Sequence, residues 1–274
     1  MSRSQRTGDF RAARVVAALL AVGLAACGGR DAPGNAGDPD REPPVIQPVD
    51  PKGLESARVV SDPSDVVNRR RRLVASWGGS IRDARVLAAL AKVRRHVFVP
   101  ESIRHSAYAD EALPIGAGQT ISQPWVVARM TELLELAPDG KVLEVGTGSG
   151  YQAAVLAELA AGVYTIEIIE SLARRAQAVL EAEGYRNIRF RVGDGYAGWA
   201  EAAPFDAVII TAAVDHVPGP LVEQLKVGGR LVLPLGSPEG VQYLTRITRT
   251  ADGANRSEQF SAVRFVPMTG KARE

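Results

Sequence analysis

From residue 141 onward the chain alternates short β-branched apolar runs with helical stretches, and no other feature constrains its fold as strongly. Runs 141–145, 163–168, 188–192, 205–211 and 230–235 read as strands, and 151–161, 171–183 and 220–225 read as helices. Strand, helix, strand in that order calls for right-handed crossovers, which lay helices over both faces of a parallel sheet. The expected fold class is therefore α/β, a doubly wound and mostly parallel sheet. Runs 242–250 and 260–265, joined by a turn at Asp252-Gly253, predict an antiparallel pair at its edge. Upstream, Val86, Leu87, Leu90 and Val93 share one helical face and predict a small helical preface. Residues 124–136 read as a helix with Pro124 in its first turn. Between 97 and 123, Pro100, Pro114, Gly116 and Gly118 break any period, as expected for a long ordered loop of the functional kind.

The first strand of the series ends in Glu144-Val145 and runs through Gly146-Thr147-Gly148-Ser149-Gly150 into a helix. Glycines at the carboxyl end of a strand let a ligand approach the backbone closely. The spacing is G-x-G-x-G rather than the G-x-G-x-x-G that seats a pyrophosphate, which favours a nucleoside without phosphates. Glu167 ends the second strand about 20 residues further on, where a carboxylate can accept both hydroxyls of a ribose. Its alternative role is that of a neighbour to a helix N-cap. Asp194, between Gly193 and Gly195 after the third strand, is placed to meet an adenine amine, or else closes an Asx turn. Three such features at one edge of one sheet favour the nucleoside reading.

The stretch YADEALPIGAGQTISQP, Tyr108 to Pro124, closely resembles the loop that protein-L-isoaspartate(D-aspartate) O-methyltransferases place over their active site. The resemblance continues through LEVGTGSGYQ, Gly193-Asp194-Gly195, Phe205-Asp206-Ala207 with Ile210-Thr211-Ala212-Ala213, the GGRLVLP run at 228–234 and Arg264-Phe265-Val266-Pro267, and covers about residues 64–270. It implies a Rossmann-like S-adenosylmethionine-dependent methyltransferase that esterifies the free α-carboxylate of L-isoaspartyl residues in damaged proteins and peptides. Carried over residue by residue, it puts the active-site serine at Ser122 and the cofactor against Glu144, Gly146, Thr147, Gly148, Gly150, Glu167, Asp194 and Gly195. The residues alone leave a second role open for Ser122, as N-cap of the helix at Pro124. An isoaspartyl carboxylate is ionised at neutral pH, so the serine is expected to aim it rather than to act as a nucleophile. Two rival readings are a methyltransferase acting on a small molecule or nucleic acid, and an inactive lipid-anchored binding protein.

Charge sets the remaining expectations. Thirty-three basic residues against thirty-one acidic ones give a net charge of +2, which argues against nucleic acid as partner. Arg69 to Arg72 form the basic cluster of the chain, read as a solvated helical face over 63–77. His96, His105 and His216 are too scattered for an obvious metal set, so no metal is expected. A domain on this scale can stand alone as a monomer. Arg3, Arg6, Arg11 and Arg14 precede an apolar stretch ending in Leu24-Ala25-Ala26-Cys27, which looks like a bacterial lipobox. Residues 1–26 are accordingly read as a signal-like leader, 27–62 as a disordered tether and 63–274 as the methyltransferase domain. This predicts a cell-envelope protein anchored through Cys27; an unused leader would return it to the cytoplasm, the usual compartment of the family.

Overall fold

The computed structural model describes residues 45–46, 62–237 and 240–270, all within the unit Glu42–Glu274. The apolar leader and Cys27 lie outside the described residues. Strand β1 (Val45–Ile46) falls inside the segment read as a disordered tether, yet pairs antiparallel with the main sheet, Val45 opposite Arg191 and Ile46 opposite Phe190. Adjacent β-branched residues suit an extended, paired backbone even in a Pro-rich surround.

Helices α1 (Ser64–Ala75) and α2 (Ala84–Lys92) form the expected preface. The side chain of Asp83 caps α2 by accepting the Arg85 N–H at 2.8 Å, and Val86, Ala89 and Leu90 are buried at helical spacing. The arginine cluster on α1 corrects one expectation: Arg71 and Arg72 are exposed, but Arg70 is buried and donates to the Asp62 carboxylate at 2.9 Å. Arg94 donates to the same carboxylate at 2.7 Å, so Asp62 is a buried acceptor shared by two guanidinium groups.

Two 3-10 turns, Arg95–Phe98 and Glu101–Ser106, lead to a hairpin, β2 (Leu113–Gly116) and β3 (Gln119–Ile121), inside what reads in sequence as a long ordered loop without period. Gly116, Ala117 and Gly118 all take positive φ at its tip. Glycines on either side make that turn accessible, and the short strands give too few residues for a visible period. Helix α3 (Pro124–Leu134) follows.

The remaining elements are β4 (Lys141–Val145), α4 (Tyr151–Ala157), β5 (Gly162–Glu167), α5 (Glu170–Ala182), β6 (Ile188–Val192), β7 (Phe205–Ile210), α6 (Gly219–Glu223), β8 (Leu225–Leu235), β9 (Gln242–Arg249) and β10 (Asn255–Val263). The sheet order is β1-β6-β5-β4-β7-β8-β9-β10, parallel from β6 to β8 and antiparallel from β8 to β10. Both the doubly wound centre and the antiparallel edge agree with expectation. Val142, Leu143 and the whole of Ala207–Ile210 are fully buried, because helices cover both faces of these central strands. The chain winds outward from β4 through β5 to β6, then returns to lay β7 on the other side of β4. Loops leaving β4 and β7 therefore diverge, and a crevice opens at the carboxyl ends of that pair.

Candidate active site

At the end of β4 the chain turns through Gly146, Gly148 and Gly150, with φ of 99°, 53° and 88°. A Cβ on Gly146 would lie 2.4 Å from Oγ1 of Thr211, which donates to the Gly146 carbonyl at 2.6 Å from the end of β7. Glycine is thus required where β4 and β7 part. The Gly148 N–H donates to Oε2 of Glu167 at 2.7 Å, and the Ile169 N–H donates to Oε1 at 2.9 Å. This carboxylate, only 6% exposed, is held by two backbone donors and keeps a further lone pair on each oxygen.

These strand ends form one wall of a cleft with about 860 Å³ of empty space, continuous with solvent. The hairpin end Gln119–Ser122 forms a second wall, and Phe265–Thr269 a third. Ser122, Gly146, Thr147, Gly148, Glu167 and Gly195 all line it. Ser122 stands between β3 and α3, and its capping alternative is not realised: Gln123 occupies the N-cap of α3, without a side-chain cap hydrogen bond. Gly195 closes against β4, where a Cβ would lie 2.4 Å from Cγ1 of Val145.

Three predicted site residues stand outside the lining. Gly150 packs beneath α5, a Cβ there falling 2.9 Å from Cδ1 of Leu180, so its role is to let α4 start close to the neighbouring helix. Asp194 accepts the Tyr196 N–H at 2.9 Å, realising the Asx-type turn, while Gly193 and Gly195 beside it reach the cleft. Glu144 is 0% exposed beneath the floor. Its Oε2 accepts from Oγ1 of Thr165 at 2.6 Å, and Thr165 is 2.5 Å from Oγ1 of Thr147 on the cleft wall. Oε1 of Glu144 has no partner among the described residues. Burial pushes the Glu144 carboxyl up to about 8; the nearby charge of Glu167 adds to the rise and the Thr165 hydrogen bond opposes it. At neutral pH this side chain therefore holds a proton.

Sequence reasoning missed the part played by the C-terminal segment. After β10 the chain crosses back over the sheet ends, where the Ala213 N–H donates to Val266 O and the Met268 N–H to Ala213 O, both at 2.8 Å. The resembling stretch Arg264-Phe265-Val266-Pro267 marks this segment without placing it, since its partner Ala213 lies more than 50 residues upstream. Thr165 reads as an ordinary strand threonine until the neighbouring strand is in place, and Thr211 belongs to the resembling stretch Ile210-Thr211-Ala212-Ala213, where nothing in the residues assigns it a role.

Among the described residues that line the cleft, Glu167 is the one acid and none is a lysine or arginine. These residues offer a counter-ion to a cationic nucleoside and none to a phosphate. Fold and cleft together define a Rossmann-like methyltransferase of the S-adenosylmethionine-dependent type.

The family model described as protein-L-isoaspartate(D-aspartate) O-methyltransferase matches residues 72–273. A protein-L-isoaspartate O-methyltransferase of Nitrosospira multiformis is 58% identical over 200 residues, covering 73% of this chain and 85% of its own. A solved protein-L-isoaspartate O-methyltransferase superposes with a TM-score of 0.68 at 27% identity, over 75% of this chain and 67% of the other. A Plasmodium falciparum protein assigned to the same enzyme class and solved with S-adenosyl-L-homocysteine gives a TM-score of 0.63 at 23% identity, over 73% and 98% of the two chains. The chain belongs to the protein-L-isoaspartate(D-aspartate) O-methyltransferase family.

Proposed function

We propose that this cleft holds S-adenosyl-L-methionine against the glycine turn and presents the free α-carboxylate of an L-isoaspartyl residue to it from the Ser122 side. The activity is that of the family: methyl esterification of isoaspartyl residues in damaged proteins and peptides, the step that opens their repair to aspartyl residues. When bound, the cofactor supplies an electrophilic methyl group on a sulfonium.

The chain's own residues do the rest. The two oxygens of Glu167 already accept one backbone N–H each, and their remaining lone pairs suit the two hydroxyls of a ribose. Gly146 and Gly148 leave the turn backbone bare for close approach, and Gly193 and Gly195, on either side of Asp194, border the place for an adenine edge. Thr147, tied through Thr165 to neutral Glu144, keeps the floor free of a second charge.

The substrate carboxylate, with an ordinary pKa near 4, arrives ionised and needs no base. The described residues of the cleft wall present hydroxyls rather than ammonium or guanidinium groups, and a hydroxyl orients the anion's oxygen without neutralising it as an ion pair would. The observation that carries this reading is Ser122 on the cleft wall with its hydroxyl unused by the adjacent helix cap. The test is methylation of an isoaspartyl peptide beside its aspartyl twin. The wild type should act on the first alone, and Ser122→Ala should lose at least tenfold in kcat/KM while its cofactor Kd stays within about twofold. Equal turnover of the two peptides would refute the substrate, and full activity of Ser122→Ala would refute the residue.

For the amino-terminal segment we propose a lipid anchor at Cys27 and a place in the cell envelope, supported by the Leu24-Ala25-Ala26-Cys27 pattern. Palmitate labelling of the wild type, absent from Cys27→Ser, is the expected result; equal labelling or equal solubility of the two forms would oppose it.

A further inference from the structure

We infer that Asp110 is a positioning residue for Ser122, acting through the first turn of α3; the inference rests on the role proposed above for Ser122. A helix leaves its first N–H groups without internal partners, and here the usual remedy is lacking. Gln123 at the N-cap contributes no side-chain hydrogen bond, and Pro124 at N1 has no N–H. The first free donor is therefore the Trp125 N–H. It is taken by Oδ1 of Asp110 at 2.9 Å, a carboxylate 15 residues upstream and on the far side of the β2–β3 hairpin.

The other oxygen of that carboxylate is also fixed. Oδ2 accepts the indole N–H of Trp77 at 3.1 Å, and the Trp77 side chain is buried in the helical preface. Arg95 steadies the segment that carries Asp110: fully buried, it donates to the Ala107 carbonyl at 2.9 Å and the Glu111 carbonyl at 3.2 Å, on either side of residue 110. The indole N–H of Trp125 adds a second tie, to Oγ of Ser80 at 3.0 Å.

Ser122 lies three residues before Trp125 and one after β3. Its position is thus set from behind by the hairpin and from ahead by the point where α3 begins. Oδ1 of Asp110 fixes that point with a charge-assisted hydrogen bond to the helix's positive end. An orienting hydroxyl that shifts by about 1 Å can cost on the order of a hundredfold in rate, so a bond outside the cleft can govern turnover inside it. Asp110 touches no reacting atom in this arrangement.

The test is a double-mutant cycle on the full chain. Asp110→Ala should lower kcat on an isoaspartyl peptide by about 10- to 100-fold, with the Kd for S-adenosylhomocysteine, read by calorimetry, within about twofold of wild type. Asp110→Asn keeps an acceptor for the Trp125 N–H but turns its NH2 toward the Trp77 indole N–H, so it should recover only part of the loss. In a Ser122→Ala background, Asp110→Ala should cost less than about threefold more, because the hydroxyl it positions is gone. A full, multiplicative loss in that background would overturn the inference, as would undiminished kcat of Asp110→Ala beside an impaired Ser122→Ala. A fully active Ser122→Ala would instead bring down the reading of Ser122 and this inference with it.

Discussion

Glu144 offers a test whose magnitude follows from its place beneath the cleft floor. Its carboxyl is wholly buried with one weakly charged-compatible contact, the Thr165 hydroxyl, and its pKa rises from 4.5 to about 8. The folded chain then binds a proton that the unfolded chain releases between those values, so stability is full below about pH 4.5 and is lost as pH rises through about 8. The slope in that window is about 1.4 kcal/mol per pH unit, hence roughly 2 kcal/mol between pH 5.5 and pH 7 and an upper bound near 5 kcal/mol over the whole window. Glu144→Gln keeps the shape and an acceptor for Thr165 but carries no titrating proton. Urea unfolding of both proteins without cofactor, at several pH values, gives the difference directly, and every other titrating group cancels from it. The variant should gain on the wild type by about 1.4 kcal/mol for each unit of rising pH in the window. Midpoints that move in parallel from pH 5.5 to pH 8 would show that Glu144 is ionised in the native state and would refute the reasoning.

Two further outcomes concern the cofactor wall. Gly146→Ala places a methyl 2.4 Å from Oγ1 of Thr211 at a φ of 99°, so the turn must rearrange; S-adenosylhomocysteine affinity should fall more than about tenfold and the melting temperature should drop, whereas wild-type affinity would show that the turn is not the binding wall. Glu167→Ala should weaken cofactor binding by about 1.5–3 kcal/mol, and an analogue lacking the ribose hydroxyls should lose affinity for the wild type but little for the variant. Equal losses of the analogue against both proteins would remove Glu167 from the ribose.

Much of this was legible in the chain. The strand runs at 141–145 and 188–192 fall on β4 and β6: β4 is central and buried on both faces, while β6, near the sheet edge, alternates apolar Ile188, Phe190 and Val192 with arginines at the period of a strand. The β2–β3 hairpin was not legible: strands of four and three residues inside a Pro- and Gly-punctuated stretch carry no period to read. Arg70 shows a different failure. Within a run of four arginines it looks like its neighbours, and only the packing of α1 against Asp62 makes it the buried one.

The sequence by itself determined the α/β class, the glycine turn and the acid at the end of the next strand, because backbone freedom and crossover geometry are local demands written in residue type and spacing. Tertiary structure alone decided which of those groups meet a ligand. It set Glu144 below the floor as a neutral acid, brought Phe265–Thr269 back as a wall, and handed the cap of α3 to Asp110 rather than to Ser122. Burial, charge state and the partner of a hydrogen bond depend on what the rest of the chain lays alongside, and no window of neighbouring residues contains that information.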